Sequence, residues 1–456
     1  MRWNKALQDA LPVLRLLNEQ GHEAVFVGGC VRDTVMGREL KDVDIATSAE
    51  PQQVMAIFPR HVPTGLKHGT ITVMTDQSVY EVTTFRKESA YEQFRRPSEV
   101  QFVTDLEADL LRRDFTINAM AMRADGTLVD PFGGKDDLRQ GVLRCVGEAD
   151  ARFQEDALRM VRAIRFAAEF QLQIELQTWQ ALKRHRMLLK HVAMERVGAE
   201  ADKMMSGSHP ERAAALFAAS GLLGHTKVLL PQALLQLGAE DGSGEGALLS
   251  KPRGELVMAL DELVQLKDAD TRWTSLCLAV GMNPDDAWQL ADALKFSNVR
   301  KSAIAAAVRI GNLMEPAIHR YLKQECSEEE LRHEWLDAII QEGRKDAGRW
   351  LTAVRTIPLL LAPPNDQPFD LVKAAPVADK LEQWLAAIPI TAIRELAIGG
   401  KDVVRLLQKP EGPWVGQLLQ QLLRAVVHRQ VDNDRDSLLA FLKERPIDNG
   451  SEMEKT

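Results

Sequence analysis

Apolar and polar positions change rhythm near residue 145 of this 456-residue chain. Upstream, short β-branched runs stand between turn residues at Ala24–Val27, Val43–Thr47, Thr70–Met74 and Val79–Phe85. Such runs predict strands. Helical patterns at Val31–Gly37 and Pro51–Ile57 lie between them, so the spacing predicts an α+β domain with a small sheet. The turn cluster DPFGG at Asp130–Gly134 is expected to end it. Downstream the period is helical nearly throughout: Ala151–Phe170, Leu176–Leu189, Met194–Met205, Pro210–Ala219, Trp288–Lys295 and Trp414–His428. Gly238–Gly246 (GAEDGSGEG) and Ala362–Pro368 (APPNDQP) lack a period and read as surface loops or linkers. Residues 446–456 read as a frayed tail. No fixed-length repeat marks a solenoid. The expectation is a catalytic head on a long helical body.

Bulk composition narrows the class. Hydrophobic residues make up 45% and charged residues 27%, as in soluble globular proteins. No apolar run approaches the roughly 18 residues of a membrane helix. The N-terminal MRWNKALQDALPVLRLL, with Asp9 and Arg15 inside its apolar pattern, reads as an amphipathic helix rather than a secretory segment. Cys30, Cys145, Cys277 and Cys326 form no CxxC pair, which fits a reducing, cytoplasmic setting and speaks against a zinc site. With a net charge of −8, any grip on nucleic acid must come from local basic patches and shape.

The chemistry begins at Asp42-Val43-Asp44, downstream of Gly28-Gly29, in GGCVRDTVMGRELKDVDIATSAE. Alternate side chains of an extended strand share a face, so carboxylates spaced i, i+2 point the same way. Carboxylates that close repel unless a cation lies between them. Their hard oxygens suit Mg²⁺, which takes substrate phosphate oxygens as further ligands. The glycine pair follows an apolar strand and precedes a helix, exposing backbone N–H groups and a positive dipole end to a phosphate chain. Arg32 adds a fork of donors suited to triphosphate oxygens. A glycine pair alone is an ordinary tight turn. With Arg32-Asp33 and the two aspartates it points to phosphoryl or nucleotidyl transfer.

Glu81 is the candidate third catalytic carboxylate, completing the metal site or deprotonating an incoming hydroxyl. Its neighbours Tyr80 and Val82 would face the other way, and an exposed strand glutamate is the plain alternative. Arg112-Arg113-Asp114-Phe115-Thr116-Ile117-Asn118-Ala119 is expected at the mouth of a helix. It offers cationic donors for phosphate and acceptors for ribose hydroxyls, while Asp114 also suits a helix N-cap.

A helix is expected over Gln154–Phe166, with Asp156, Arg159, Arg162 and Arg165 recurring at i+3 as one slanted stripe. Met160, Val161, Ile164 and Ala168 fall on the opposite side and would pack inward. The stripe is either a solvated face laced with ion pairs or a reading head. An aspartate only accepts hydrogen bonds and an arginine only donates. Cytosine and adenine present an exocyclic amine beside a ring-nitrogen acceptor, whereas guanine and uracil present a carbonyl that a carboxylate repels. Asp156 with Arg159 could therefore admit C and A and reject G and U.

These elements resemble the class II nucleotidyltransferases, that is, the bacterial CCA-adding enzymes and the related bacterial poly(A) polymerases. GGxxRD…DxD matches Gly28–Asp33 and Asp42–Asp44, RRDFTxNA matches Arg112–Ala119, and EDxxR matches Glu155–Arg159. The resemblance implies a polymerase beta-like nucleotidyltransferase head over 1–145 and a neck with the template helix over 146–210. An all-helical body over 211–310 and a tRNA-binding tail over 311–456 would follow. It implies that Asp42 and Asp44 bind Mg²⁺ and that Gly29, Arg32 and Arg113 contact the nucleotide. Asp156 and Arg159 would read the base, supported by Arg162 and Arg165. On that footing C, C and A are added to the 3′ end of tRNA from CTP and ATP. No nucleic-acid template is used and pyrophosphate is released, by two-metal attack of the terminal 3′-OH on the α-phosphate.

Glu88–Val100 (ESAYEQFRRPSEV) resembles the family's flexible loop, associated with the switch from C to A, which speaks against an enzyme adding only CC. An A-adding enzyme or a poly(A) polymerase is the second reading; the basic extension of the latter has no counterpart in DNGSEMEKT. A catalytically inactive RNA-binding protein on the same scaffold is a reading of another class, against which the intact Asp42/Asp44 pair stands. No His-Asp dipeptide occurs, which argues against an appended HD-type phosphohydrolase. Lys183, Arg184, Arg186, Lys190 and the turn Gly399–Asp402 are either phosphate contacts or solvated charges. The pattern leaves the oligomeric state open, a homodimer included.

Overall fold

The structure, a computed structural model, describes residues 4–88, 91–92, 96–97, 100–235, 237, 258–362 and 371–444. The loop expected at Gly238–Gly246, the stretch Ala362–Pro368 beyond Ala362, and the tail at 446–456 lie outside the described residues. Two compact units divide the chain: Met1–Glu245 with Ala293–Lys295, and Gly246–Asp292 with Phe296–Thr456.

The first unit opens on α1 (Lys5–Glu19), started by Asn4, whose side chain accepts the Ala6 N–H at 3.0 Å. Its strands in chain order are β1 (Ala24–Val27), β2 (Asp44–Thr47), β3 (His61–Gly65), β4 (Thr70–Met74) and β5 (Val79–Thr84). Next come β6 (Arg86–Glu88), β7 (Tyr91–Glu92), β8 (Arg96–Pro97), β9 (Val100–Phe102), β10 (Ala121–Met122) and β11 (Leu128–Val129), then the parallel pair β12 (Val142–Leu143) and β13 (Gln173–Ile174). A seven-stranded mixed sheet runs β11-β10-β1-β2-β5-β4-β3. In it β2 is central, antiparallel to β1 and parallel to β5, with Asp44 opposite Glu81.

Alternation along these strands serves two cores, because the sheet is covered on both faces. Phe26, Ile45, Ile71 and Val82 pack with α1, α2 (Gly29–Val35) and α3 (Pro51–Ile57). Val25, Val27 and Ala46 pack with Phe85 and the side chains Leu106 and Leu110 of α4 (Leu106–Leu111). The strands at β1 and β4 and the helix α3 fall at the expected residues. Of the seven strands of this sheet, three escape the period: β3 is mostly exposed, and β10 and β11 are too short to show an alternation. Of the stretch expected to be a flexible loop, the described residues pair as β6 with β9 and β7 with β8. Arg86 is opposite Phe102, Glu88 opposite Val100, and Tyr91 opposite Pro97, each pairing antiparallel.

Two expectations are corrected. DPFGG does not close the domain; Asp130 caps α5 (Gly134–Gln140), accepting the Gly134 and Lys135 N–H groups at 2.8 and 2.9 Å. Gly134 is required there because a Cβ would lie 2.2 Å from the Thr116 carbonyl oxygen. The continuous helix expected over Gln154–Phe166 is also wrong. It is α6 (Ala149–Glu155) and α7 (Leu158–Glu169), broken at Asp156 with φ −139° and ψ 103°. The Asp156 carboxylate accepts the Leu158 N–H at 3.0 Å, the local side-chain-to-backbone bond by which aspartate competes with helical pairing.

Beyond α7 run α8 (Leu176–His185), α9 (Met194–Ser206) and α10 (Pro210–Ser220). Met160, Val161, Ile164 and Ala168 are buried among them, as expected. The second unit is helical among its described residues, from Ala269–Ala279 to Arg435–Glu444. Its core holds the fully buried Trp335 and Trp350, their ring centroids 5.4 Å apart. Among the described residues no helix is long and apolar enough to cross a membrane.

Candidate active site

The turn from β1 into α2 shapes the floor of a cavity of about 820 Å³ in the first unit. Gly28 makes that turn at φ 71° and ψ −128°, a conformation that L side chains avoid. Arg113 Nη1 lies 3.0 Å from the position a Cβ on Gly28 would take, so the backbone and the arginine are in close approach. Asp44 opens β2, and Asp42 precedes the strand rather than belonging to it. Both line the cavity, with Gly28, Gly29, Arg32 and Arg113. Glu81 is not part of that lining, but its place opposite Asp44 brings its charge to bear on the same carboxyl.

Across the cavity stand α7 and α9. Asp156, Arg159, Arg162 and Arg165 all line it, so nine of the ten expected residues share one space, Glu81 being the exception. Each of the four is held by residues outside the stripe. Asp156 accepts Arg196 Nη2 at 2.7 Å, while Arg159 Nη1 meets Glu155 at 2.5 Å and Arg159 Nη2 reaches the Arg112 carbonyl at 2.8 Å. Arg162 grips Asp114 at 2.7 Å, and Arg165 grips Glu200 at 2.5 Å. Arg159 and Arg165 are buried, so the stripe is no solvated face. The Arg165 guanidinium sits 4.0 Å from the Phe166 ring centroid, and that of Arg32 sits 4.3 Å from Phe170, both within cation–π range.

The element Arg112–Ala119 corrects a further expectation. It makes a single 3-10 turn at Thr116–Asn118 and runs on into β10, not into a longer helix. Asp114 caps no helix. It accepts Asn118 Nδ2 at 3.0 Å, and Asn118 Oδ1 in turn accepts Arg32 Nη1 at 2.6 Å. A relay of buried polar contacts therefore joins Arg162 on α7 to Arg32 on α2.

Charge explains the titration behaviour. Burial would raise the Asp114 carboxyl, but Arg162, the Asn118 hydrogen bond and Arg159 outweigh it and hold it at about 2. Asp44 moves the other way. Loss of hydration raises it, as do the charges of Glu81 and Asp42, with Arg113 opposing. Its carboxyl keeps an exposed surface toward the cavity, yet the surrounding protein still restricts its water. Nine basic side chains (Arg32, Arg86, Arg112, Arg113, Arg159, Arg162, Arg165, Arg196, Lys203) surround four acidic ones (Asp42, Asp44, Asp114, Asp156). In a chain of net charge −8, this focuses positive potential where a polyanion would enter.

The donor set fits a hard divalent ion. Burial chiefly raises Asp44, and the negative charges of Glu81 and then Asp42 add to it, a repulsion that a cation at Asp42 and Asp44 would relieve. Among the described residues no three His, Cys, Asp or Glu side chains gather into one ligand cluster.

Sequence reasoning missed Arg196, Glu200 and Lys203 on α9, and His68 and Arg86 at the far rim. Glu200 is buried and held below the usual carboxylate range: burial raises it, but Arg165 and Arg162 more than compensate. The spacing i, i+4, i+7 within Met194–Met205 was the available signal, since it puts Arg196, Glu200 and Lys203 on one helix face.

Known proteins resemble this chain over nearly its full length. Residues 24–144 match the poly A polymerase head domain, 171–233 the probable RNA and SrmB-binding site of polymerase A, and 373–442 a putative tRNA nucleotidyltransferase domain 2. A CCA-adding enzyme of Geobacillus thermodenitrificans is 37% identical over 443 residues, covering 96% of this chain and 97% of its own. One of Lactiplantibacillus plantarum is 38% identical over 437 residues, covering 96% of each. The crystal structure of Bacillus stearothermophilus CCA-adding enzyme in complex with CTP superposes with a TM-score of 0.74. It is 34% identical and covers 97% of this chain and 98% of its own. Likeness at that level along nearly the full length, on a head whose paired aspartates face an arginine-lined wall, makes this chain a member of the CCA-adding enzyme family of nucleotidyltransferases.

Proposed function

We propose that the protein adds C, C and A to the 3′ end of tRNA from CTP and ATP, releasing pyrophosphate, without a nucleic-acid template. The observation that carries this reading is one cavity holding both the Asp42/Asp44 pair beside Gly28-Gly29 and the polar wall of Asp156 and Arg159. Asp42 and Asp44 would hold Mg²⁺, which supplies Lewis-acid stabilisation of phosphate charge. Gly29, Arg32 and Arg113 receive the triphosphate through backbone N–H groups and guanidinium donors. Glu81, opposite Asp44 across the β2–β5 pairing, would complete the metal site or deprotonate the incoming 3′-hydroxyl.

Asp156 selects the base by accepting from an exocyclic amine, and Arg159 by donating to a ring acceptor. Arg162 and Arg165, anchored on Asp114 and Glu200, keep that wall in place. Residues 1–145 act as head, 146–210 as neck, 211–310 as body and 311–456 as tail, the helical parts gripping the tRNA in the cytoplasm. The match of 373–442 to a tRNA nucleotidyltransferase domain supports the last assignment.

Purified protein given tRNA lacking CCA should extend it by CC with CTP alone, and by CCA with CTP and ATP together. Long A tracts, or ATP use without prior C incorporation, would favour an A-adding enzyme or a poly(A) polymerase. Incorporation by wild type but not by Asp42→Ala would set aside an inactive RNA-binding scaffold.

A further inference from the structure

Asp109 belongs to no motif singled out above, and it lies behind the cavity wall. It sits on α4 with 0% of its surface exposed. A carboxylate is acceptor-only, and every recorded contact of this one is a donor from a residue that lines the cavity. Arg112 Nε and Nη2 reach Oδ1 at 3.0 and 2.7 Å. Arg113 Nη2 reaches Oδ2 at 3.2 Å, and the Arg86 backbone N–H reaches Oδ1 at 3.2 Å.

Those donors belong to two different structures. Arg112 and Arg113 face the cavity beside Gly28. Arg86 is the first residue of β6, the root of the hairpin that pairs with β9. The root is closed by Val103 N–H to the Phe85 carbonyl at 2.9 Å, and the Arg86 side chain donates to the His68 carbonyl. Burying a carboxylate costs several kcal/mol before its partners compensate, and a well-packed apolar residue is often as stable. Stability alone is therefore a poor reason for an aspartate here.

We infer that Asp109 is a positioning residue that ties the root of the 86–102 hairpin to Arg112 and Arg113, so that hairpin and triphosphate-binding arginines hold one shared arrangement. Burial opposes its charge, and Arg113 and Arg112 overcome that, keeping the carboxyl below the usual range and so ionised as the tie needs. The inference rests on the proposed nucleotide-binding role of Arg113.

The test uses full-length protein with tRNA lacking CCA, CTP or ATP, and Mg²⁺. Asp109→Asn keeps one oxygen for the Arg86 N–H but turns an amide donor toward the guanidinium groups. It should raise KM for both nucleotides about tenfold, equivalent to about 1.4 kcal/mol, with kcat changed far less. Asp109→Glu restores the charge and should recover most of the loss. In a background where two glycines join Glu88 to Val100, the Asp109→Asn penalty should differ several-fold from its value in the full hairpin, because the two changes act through one carboxylate. Unchanged KM, equal defects in Asn and Glu variants, or strictly additive penalties would overturn the proposal. Failure of both variants to fold would assign the carboxylate to stability and overturn it equally. Wild-type protein inert toward both nucleotides would instead refute the proposed activity, and CTP calorimetry of wild type against Asp109→Asn would still decide the positioning role.

Discussion

Replacing Asp114 with asparagine removes one charge and almost no volume from the centre of the relay between Arg162 and Arg32. The carboxylate accepts Arg162 Nε at 2.8 Å and Nη2 at 2.7 Å, and Asn118 Nδ2 at 3.0 Å. It is held at about 2 against an ordinary 3.8. At about 1.4 kcal/mol per tenfold change in proton affinity, the ionised group contributes about 2 kcal/mol at neutral pH. A carboxyl whose folded value is depressed stabilises fully above its unfolded value and loses that contribution as pH falls through the folded one. Asp114→Asn should therefore cost about 2 kcal/mol near pH 7, and the gap to wild type should narrow to about 1 kcal/mol near pH 3. Cys145 offers a local probe. Its thiol is buried and pushed up to about 12 by that burial, and the next residue donates its N–H to the Asp114 carbonyl at 3.2 Å. Urea unfolding would be read by labelling Cys145 with a disulfide reagent that works in acid. A gap that stays constant with pH would refute the electrostatic account.

Two further substitutions separate roles within the cavity. Asp156→Ala deletes the acceptor of the Leu158 N–H and the partner of Arg196. Competition assays should show UTP and GTP incorporation rising relative to CTP and ATP while KM for CTP moves little, with a stability loss of about 1 kcal/mol for the lost cap; unaltered discrimination would sink the base-reading role. Gly28→Ala puts a Cβ 3.0 Å from Arg113 Nη1 at a backbone φ of 71°. It should cost about 1–2 kcal/mol by thermal melting and weaken CTP binding by calorimetry, and unchanged binding would show that Arg113 does not need its present seat.

Local physics was readable from the chain because it acts over a few residues. The strands at Ala24–Val27 and Thr70–Met74 announce themselves by β-branched runs between turns, and the helix at Pro51–Ile57 by a proline start and a helical period. Asp42, Asp44, Gly29, Arg32, Arg113, Asp156 and Arg159 could be named because each stands in a short motif, and Arg162 and Arg165 because they continue the i+3 stripe; all nine line one cavity. Glu81 could be placed on its strand, but only the parallel pairing of β2 and β5 set it against Asp44.

Partnership was another matter. Asp156 is held by Arg196, forty residues on, and Asp114 by Arg162, forty-eight residues on. No local period encodes which donor a carboxylate will meet at such a distance. The same cause hid α9 from the site, because a face that reads as solvated in isolation becomes a buried wall once another helix packs opposite it. Amino-acid order by itself determined the elements and the kinds of chemistry each could carry. Tertiary packing alone decided which charges distant in the chain became neighbours, because electrostatic and hydrogen-bond energies depend on separation in space and not along the chain.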